Sequence, residues 1–370
     1  MDYNRIRELK RRIEFDLTEP ETLIGLVHDA KLKGEKVRKD LTELRQISGE
    51  VRKSIESRGF LLRGESLSGI NLLTARAVGI DGSFQLVGGA GGKWYAPISV
   101  ARISFENGPT SSPKVDIYGA TIEEIDETDD PKPNTVAAVM MLSAEVKAMF
   151  DWGTQSKDAV VMIDGPVVDP PVFSHGGKDY VRDRCEAIRK CMAKDRFIGC
   201  VKRSRDGFLI DYLSKIDASI QGRLARFPSD QYLVAYLFAN VRDTGYSGPL
   251  FTHWLDVSQI NPLYQTYAEN GVHIISLFVQ RAVNSQVLRV DLPLDHSPSD
   301  DTNRADIAYK QGAKAVIEWT FPGQDYPLPV FLAHGKCNIR EGCAEVLYEE
   351  IMTRGMTTDP RNQAVLSQLR

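Results

Sequence analysis

Three carboxylates in this 370-residue sequence stand where they could together hold a divalent cation. Asp81 lies in "GIDGSF", Glu145 in "AEVKAMF" and Asp164 in "VVMIDGPVV". Oxygen ligands suit Mg²⁺ or Mn²⁺, and three converging carboxylates hold such an ion better than one aspartate does. Crowded carboxylates repel one another strongly when no cation lies between them. A cluster of these three side chains is therefore interpreted as a cation site.

The chemistry that such a site would support is phosphoryl displacement. Two divalent ions about 3.5–4 Å apart can activate the attacking water and stabilise the leaving oxygen of an in-line reaction on a phosphodiester. The hypothesis requires three separate segments of the chain to bring their acids to one place.

Asp81 belongs to the first of three strand-like segments that begin near residue 75. These segments are "RAVGID", "KWYAPISVARISF" and "SPKVDIYGAT". The glycine-rich residues 88–92 between the first two predict a hairpin loop, because a phosphate-binding loop would be followed by a helix and here a strand follows. Taken alone, Asp81 with Gly82 would also be consistent with a turn.

The other two acids lie on a predicted helix and at the end of a predicted strand. Glu145 falls on the apolar stripe of "NTVAAVMMLSAEVKAMFDWG", either buried with a partner or at the edge of the stripe with its carboxylate in water. The apolar residues 159–163 end on Asp164, which is either a turn former or an acid facing the ligand crevice of an α/β sheet. The three acids thus follow one order: the first strand of a meander, the next helix and the end of the next strand. This is the carboxylate layout of RNase H-like nucleases. The predicted fold class is α/β, an RNase H-like mixed sheet flanked by helices.

The composition is that of a globular protein, with 42% hydrophobic and 26% charged residues. No apolar run is long enough to span a membrane and the N-terminus is charged, which predicts a cytoplasmic protein without membrane association. The five cysteines form no C-x-x-C pair and are expected to be reduced thiols.

Charge is unevenly distributed, although the net charge is only −4. Residues 181–227 contain twelve Lys/Arg and six Asp/Glu. This segment is either a solvated face or a basic groove for a nucleic-acid backbone. Lys202, Arg203 and Arg205 follow the strand-like "FIGCV" and are the candidates for DNA contacts.

The predicted domains are a helical N-terminal arm (1–60), a nuclease domain (61–355) and a C-terminal tail (356–370). The arm prediction depends on one narrow stripe in "LTELRQISGEVRKSIESRGF", with apolar residues three to four positions apart. A docked arm and a core helix both fit this stripe, and we favour the arm.

Six segments in order resemble the NurA nucleases over about residues 65–350. They are "GIDGSF", "AEVKAMF", "VVMIDGPVV", "FIGCVKRS", "QVLRVDLP" and "YPLPVFLAHGKCNI". The resemblance implies an RNase H-like fold and a homodimer that uses Mn²⁺ or Mg²⁺. It also implies a DNA exonuclease and single-strand endonuclease that processes DNA ends with a HerA-type hexameric translocase.

The resemblance also assigns residues. The metal-binding carboxylates of the family correspond to Asp81, Glu145 and Asp164, and its C-terminal histidine corresponds to His334. The run "YPLPVFLA" is expected to be a buried strand or loop that brings His334 to the catalytic face. A tyrosine of the family has two candidates here, Tyr232 and Tyr236.

Two other functions are consistent with parts of the sequence. "GIDGSF" is similar to the first phosphate loop of actin-like ATPases, but the proline-rich "IDGPVVDPP" is a poor second phosphate loop. A non-catalytic scaffold that binds DNA or a translocase is the other alternative, and the presence of all three acids argues against it.

Overall fold

A computed structural model describes most of the chain. The described residues are 19–70, 75–89, 92–127, 131–155, 158–169, 178–193 and 196–355. Within them the strands are β1 (Leu61–Arg63), β2 (Ala77–Phe84), β3 (Val87–Gly88), β4 (Lys93–Phe105), β5 (Lys114–Asp126), β6 (Val160–Asp164), β7 (Arg196–Val201), β8 (Leu250–Thr252), β9 (Leu255–Asp256), β10 (His273–Gln280) and β11 (Leu288–Leu294).

The helices alternate with these strands over most of the chain. They are α1 (Pro20–Ser57), α2 (Pro133–Gly153), α3 (Lys178–Met192), α4 (Phe208–Ile216), α5 (Gln221–Leu224), α6 (Asp230–Arg242), α7 (Pro262–Glu269), α8 (Thr302–Trp319), α9 (Leu328–Cys337) and α10 (Glu341–Gly355). No helix among the residues described is long and apolar enough to cross a membrane.

The strands form one mixed sheet. Its order is β1-β8-β10-β11-β7-β6-β2-β4-β3, with β5 paired to β4 and β9 paired to β10. The pairs β2–β6 and β6–β7 are parallel, whereas β4 is antiparallel to β2, β3 and β5. The predicted three-stranded meander and the predicted mixed α/β class are confirmed.

Two hydrophobic cores lie on the two faces of the sheet. Val78 and Ile80 of β2 belong to the core that includes α2 and α3, whereas Ala77 belongs to the core that includes α8 and α9. Successive side chains of a strand point to opposite faces, so Gly79 and Asp81 share the α9 face with Ala77. Helices on both faces explain why the first four residues of β6 are apolar and buried, before the strand ends on Asp164.

Helix α1 is 38 residues long and extends about 57 Å. Its C-terminal part docks on α6, where Arg45 pairs with Asp243 at 2.9 Å and Arg52 donates to the Asn240 carbonyl. Its N-terminal part carries exposed apolar side chains, including Ile24, Leu26, Leu32, Val37 and Leu41. The described part of the arm is therefore one helix, while residues 1–18 and the tail at 356–370 lie outside the described residues. The domain boundaries stay a prediction.

Candidate active site

Asp81 and Asp164 meet because their strands are parallel neighbours. Ile80 of β2 pairs with Ile163 of β6, so the next residue of each strand is an aspartate. Gly165 then takes a positive φ of 123°, which favours glycine, and its N–H donates to the Cys200 carbonyl. Asp81 lies inside β2 rather than in a turn.

His334 reaches the aspartates from helix α9. Its Nδ1 lies 2.7 Å from Asp81 Oδ2 and 3.6 Å from Asp164 Oδ2. The helix can lie this close because Gly79 has no side chain, since a Cβ there would be 2.1 Å from the carbonyl carbon of Pro329.

The expectation that a strand or loop would carry His334 was wrong. Residues 328–337 form a helix with Pro329 in its first turn. Proline is tolerated there because the first N–H groups of a helix have no intrahelical acceptor. A short apolar run such as "LPVFLA" does not distinguish a strand from a buried helix by periodicity alone.

Glu145 approaches the same place from the opposite face of the sheet. A Cβ on Gly82 would lie 2.9 Å from Glu145 Oε1, so the glycine gives this carboxylate room beside Asp81. Glu145 is 3% exposed, and its Oε2 lies 3.8 Å from Arg184 Nη1. The interpretation in which its carboxylate stays in water at the edge of the helical stripe is therefore excluded.

Arg184 ties Glu145 to a buried network. Its Nη2 lies 3.3 Å from Asp169 Oδ1, and the hydroxyl of Tyr267 donates to Asp169 at 3.2 Å. Arg184 also donates to the carbonyl of Val167. The predicted basic segment includes this buried arginine, so only part of that segment faces solvent.

Within the described part of the chain, one group of side chains has the donor geometry for a metal ion. Ligand atoms of Asp81, Asp164 and His334 all lie within 4.8 Å of one another. Glu145 is adjacent but is not part of this group. Two carboxylates with an imidazole nearby suit a divalent ion such as Mn²⁺, and Glu145 adds a third carboxylate from the other face.

The electrostatics of this group favour a cation. Burial and repulsion from Asp164 raise the pKa of Asp81 to about 8. Burial also raises the pKa of Glu145 to about 8, against the opposing effect of Arg184. Lys202 donates a hydrogen bond to Asp164, and although burial alone would lower the pKa of Lys202, Asp164 raises it. The three carboxylates therefore face two cations, Lys202 beside Asp164 and Arg184 beside Glu145.

The three predicted DNA-binding residues lie on the loop after β7. Lys202 is half-buried beside Asp164, whereas Arg203 and Arg205 are exposed. Gln231 of α6 holds this loop: its amide donates to the Lys202 carbonyl at 2.8 Å and accepts from the Ser204 N–H at 3.0 Å. The structure thus places Lys202 beside Asp164 and leaves both arginines facing solvent.

Tyr326 is a site residue that the sequence reasoning missed. The ammonium of Lys202 lies 3.7 Å from the centroid of its ring. The two tyrosines named from the resemblance both lie on α6. Tyr236 donates to the carbonyl of Leu41 in α1, and Tyr232 is exposed. The signal that could have found Tyr326 is its position directly before the apolar run that ends at His334.

Comparisons with known proteins agree with this geometry. The sequence matches the NurA domain over residues 75–335. The structure is similar to that of the NurA nuclease from Sulfolobus solfataricus, with a TM-score of 0.53 and 11% identity over 93% of this chain and 100% of that chain. A second NurA crystal structure gives a TM-score of 0.55 and 10% identity over 89% and 99% of the two chains. Comparison with curated protein sequences finds no match.

The fold is that of the RNase H-like nucleases, as the order of strands, helices and acids predicted. The domain match covers more than half of the chain, and the chain therefore belongs to the NurA family of nucleases. Asp81, Glu145, Asp164, Lys202 and His334 all lie within the matched residues.

Proposed function

We propose that this NurA-family protein hydrolyses phosphodiester bonds in DNA with Mn²⁺ or Mg²⁺ held by Asp81, Asp164 and Glu145. The observation that carries the proposal is the convergence of the Asp81 and Asp164 carboxylates, whose ligand atoms lie within 4.8 Å of each other and of the His334 imidazole. Glu145 adjoins them from the other face of β2. A bound divalent ion would supply Lewis-acid activation of water and of the phosphate. The raised pKa values of Asp81 and Glu145 support the proposal, because a cation would favour their ionised forms.

His334 is proposed as the proton acceptor for the attacking water. Nδ1 lies 2.7 Å from Asp81, and the tautomer that donates from Nδ1 to this carboxylate has its lone pair on Nε2. Half of the side chain is exposed. A neutral imidazole held in this tautomer can accept a proton from a water on its solvent side. Lys202 would neutralise charge on the scissile phosphate, and Arg203 and Arg205 would contact the backbone further along the strand.

The biological task is proposed from the resemblance to the family. The protein would act as an exonuclease and single-strand endonuclease on DNA ends, together with a HerA-type hexameric translocase. It would work as a homodimer in the cytoplasm. The exposed apolar residues on the N-terminal part of α1 support a protein contact there, because one helix standing away from the core cannot bury them alone.

The test is cleavage of labelled single- and double-stranded DNA with and without Mn²⁺, repeated with a HerA-type partner. Asp81→Asn and Asp164→Asn should reduce cleavage to background, because each removes a carboxylate proposed to hold the cation. Asp211→Asn, which changes an exposed aspartate on α4, is the matched control and should cleave normally. Circular dichroism should show that all three variants are folded.

Two results would contradict the proposal. Wild-type cleavage rates in Asp81→Asn or Asp164→Asn with Mn²⁺ present would remove the assigned roles. DNA binding by the wild-type protein without cleavage under any metal condition would favour the non-catalytic scaffold instead.

A further inference from the structure

Phe331 is an exposed aromatic side chain at the border of the candidate active site. Its exposed fraction is 44%, and among the described residues no other phenylalanine or tryptophan is a large exposed hydrophobic side chain. Its ring packs against that of Tyr326, with centroids 5.7 Å apart and planes tilted by 51°. Isolated aliphatic side chains on a surface are ordinary, but a supported and exposed aromatic ring is a recognised binding element.

Two contacts connect this aromatic pair to the residues of the candidate active site. Phe331 and His334 are three residues apart on α9, so they are neighbours on one side of the helix, with Cβ atoms about 5–6 Å apart. Tyr326 lies under the ammonium of Lys202, which donates to Asp164. The aromatic pair therefore borders both His334 and Lys202, the two side chains proposed to act on the scissile phosphate and the attacking water.

We propose that Phe331, supported by Tyr326, is a stacking site for an unpaired nucleobase next to the phosphate that is cleaved. The inference rests on the proposed function and adds a base-binding subsite to it. Proteins that bind single strands combine cationic side chains for the backbone with aromatic rings for the bases, because every base has a π face. Here Lys202, Arg203 and Arg205 provide the cations, and Phe331 provides the ring.

The geometry selects an unpaired base over a paired one. A base inside a duplex is already stacked on both faces, so it can use the ring only after it leaves the helix. Stacking on a phenylalanine is independent of base identity, since it involves no hydrogen bond to a base edge. The subsite would therefore favour frayed or single-stranded DNA without sequence preference.

The experiment measures binding of a fluorescent oligothymidylate in buffer with EDTA, and electrophoresis checks that the strand stays intact. Phe331→Ala and Phe331→Leu should weaken binding by about 5- to 140-fold, the range expected for loss of one base–aromatic stack. Phe331→Tyr and Phe331→Trp should retain wild-type affinity because they keep an aromatic ring. Val346→Ala removes another exposed apolar side chain, on α10, and should bind normally.

A second substrate tests whether the contribution of Phe331 to binding depends on the presence of a base. On a strand of abasic nucleotides, wild-type protein and Phe331→Ala should bind equally, because no base remains to be stacked. Full affinity in Phe331→Leu, an equal loss on the abasic strand, or unchanged affinity in all Phe331 variants would overturn the proposal. Cleavage by Asp81→Asn tests the proposed function separately, so the two failures are distinguishable.

Discussion

Two groups of charged side chains lie in the same sheet, on either side of β7, and differ in how their buried carboxylates are satisfied. In the first, which we call the carboxylate group, Asp81 and Asp164 share the single ammonium of Lys202. In the second, the arginine network, Arg289 binds Asp291 through two bonds of 3.0 and 2.9 Å and also contacts Asp206.

The difference separates a functional site from a structural one. In the arginine network Ser276 donates to Asp291 at 2.7 Å, so the carboxylate is satisfied by hydrogen bonds and a guanidinium. In the carboxylate group repulsion from Asp164 helps to raise the pKa of Asp81, which is the mark of a site that lacks positive charge. A buried acid that several hydrogen bonds satisfy, such as Asp291, has a structural role, whereas two buried acids that repel each other are set up to receive a cation.

The largest expected effect is on catalysis in the carboxylate group. His334→Ala should lower turnover by roughly 10²–10⁴-fold, the usual contribution of a general acid–base group, while Mn²⁺ binding by the carboxylates survives. Turnover is measured with labelled DNA and metal binding by calorimetry. His28→Ala, an exposed histidine on α1, is the control. Full activity in His334→Ala would remove the histidine from the mechanism.

The next effect is on stability in the arginine network. Asp291→Asn should lower the free energy of unfolding by about 3–5 kcal/mol, because it removes a charge partner of the buried Arg289 guanidinium. Asp81→Asn should leave the stability unchanged or raise it in metal-free buffer, because it removes a repelling charge. Urea unfolding of both variants measures the contrast. Equal destabilisation by the two substitutions would break the distinction between the groups.

The pH dependence should have a definite sign. Asp81 and Glu145 titrate near 4 when unfolded but have pKa values of about 8 in the metal-free fold, so the folded state holds protons that the unfolded chain has released. The stability from these groups is therefore lost as pH rises from about 4 to 8. Thermal unfolding in EDTA should show a smaller decline in Asp81→Asn than in wild type. Added Mn²⁺ should raise the melting temperature more at pH 8 than at pH 5.5, and the reverse order would contradict the assignment.

The smallest effect concerns Lys202. Lys202→Ala should weaken DNA binding and reduce the salt dependence of binding by about one phosphate contact. Lys215→Ala alters an exposed lysine of the same basic segment and provides the comparison. If the salt slope of Lys202→Ala equals that of wild type, the lysine serves only as the partner of Asp164.

The sequence predicted the parts of this site that depend on order along the chain. The strand, helix and strand that carry Asp81, Glu145 and Asp164 follow from periodicity and from the ends of apolar runs. Sequence spacing does not tell which face of a sheet a helix covers. The arrival of Glu145 from the face opposite His334 was therefore not predicted.

The packing roles of two glycines and one arginine could not be predicted from the sequence. Asp81 with Gly82 was consistent with a turn, whereas Gly79 and Gly82 each admit atoms of another element against β2. Arg184 was counted only as one charge of the basic segment, because composition does not reveal a buried partner such as Asp169. Both features depend on contacts between residues distant in the chain.

Gly79 and Gly82, the two glycines of "GIDGSF", let other elements pack directly against the backbone of β2 near Asp81. Gly79 admits the backbone of the histidine-bearing helix on one surface, and Gly82 admits the Glu145 carboxylate on the other. A methyl group at either position would push one of the two layers away from the strand. Both catalytic approaches thus depend on the absence of a single carbon atom.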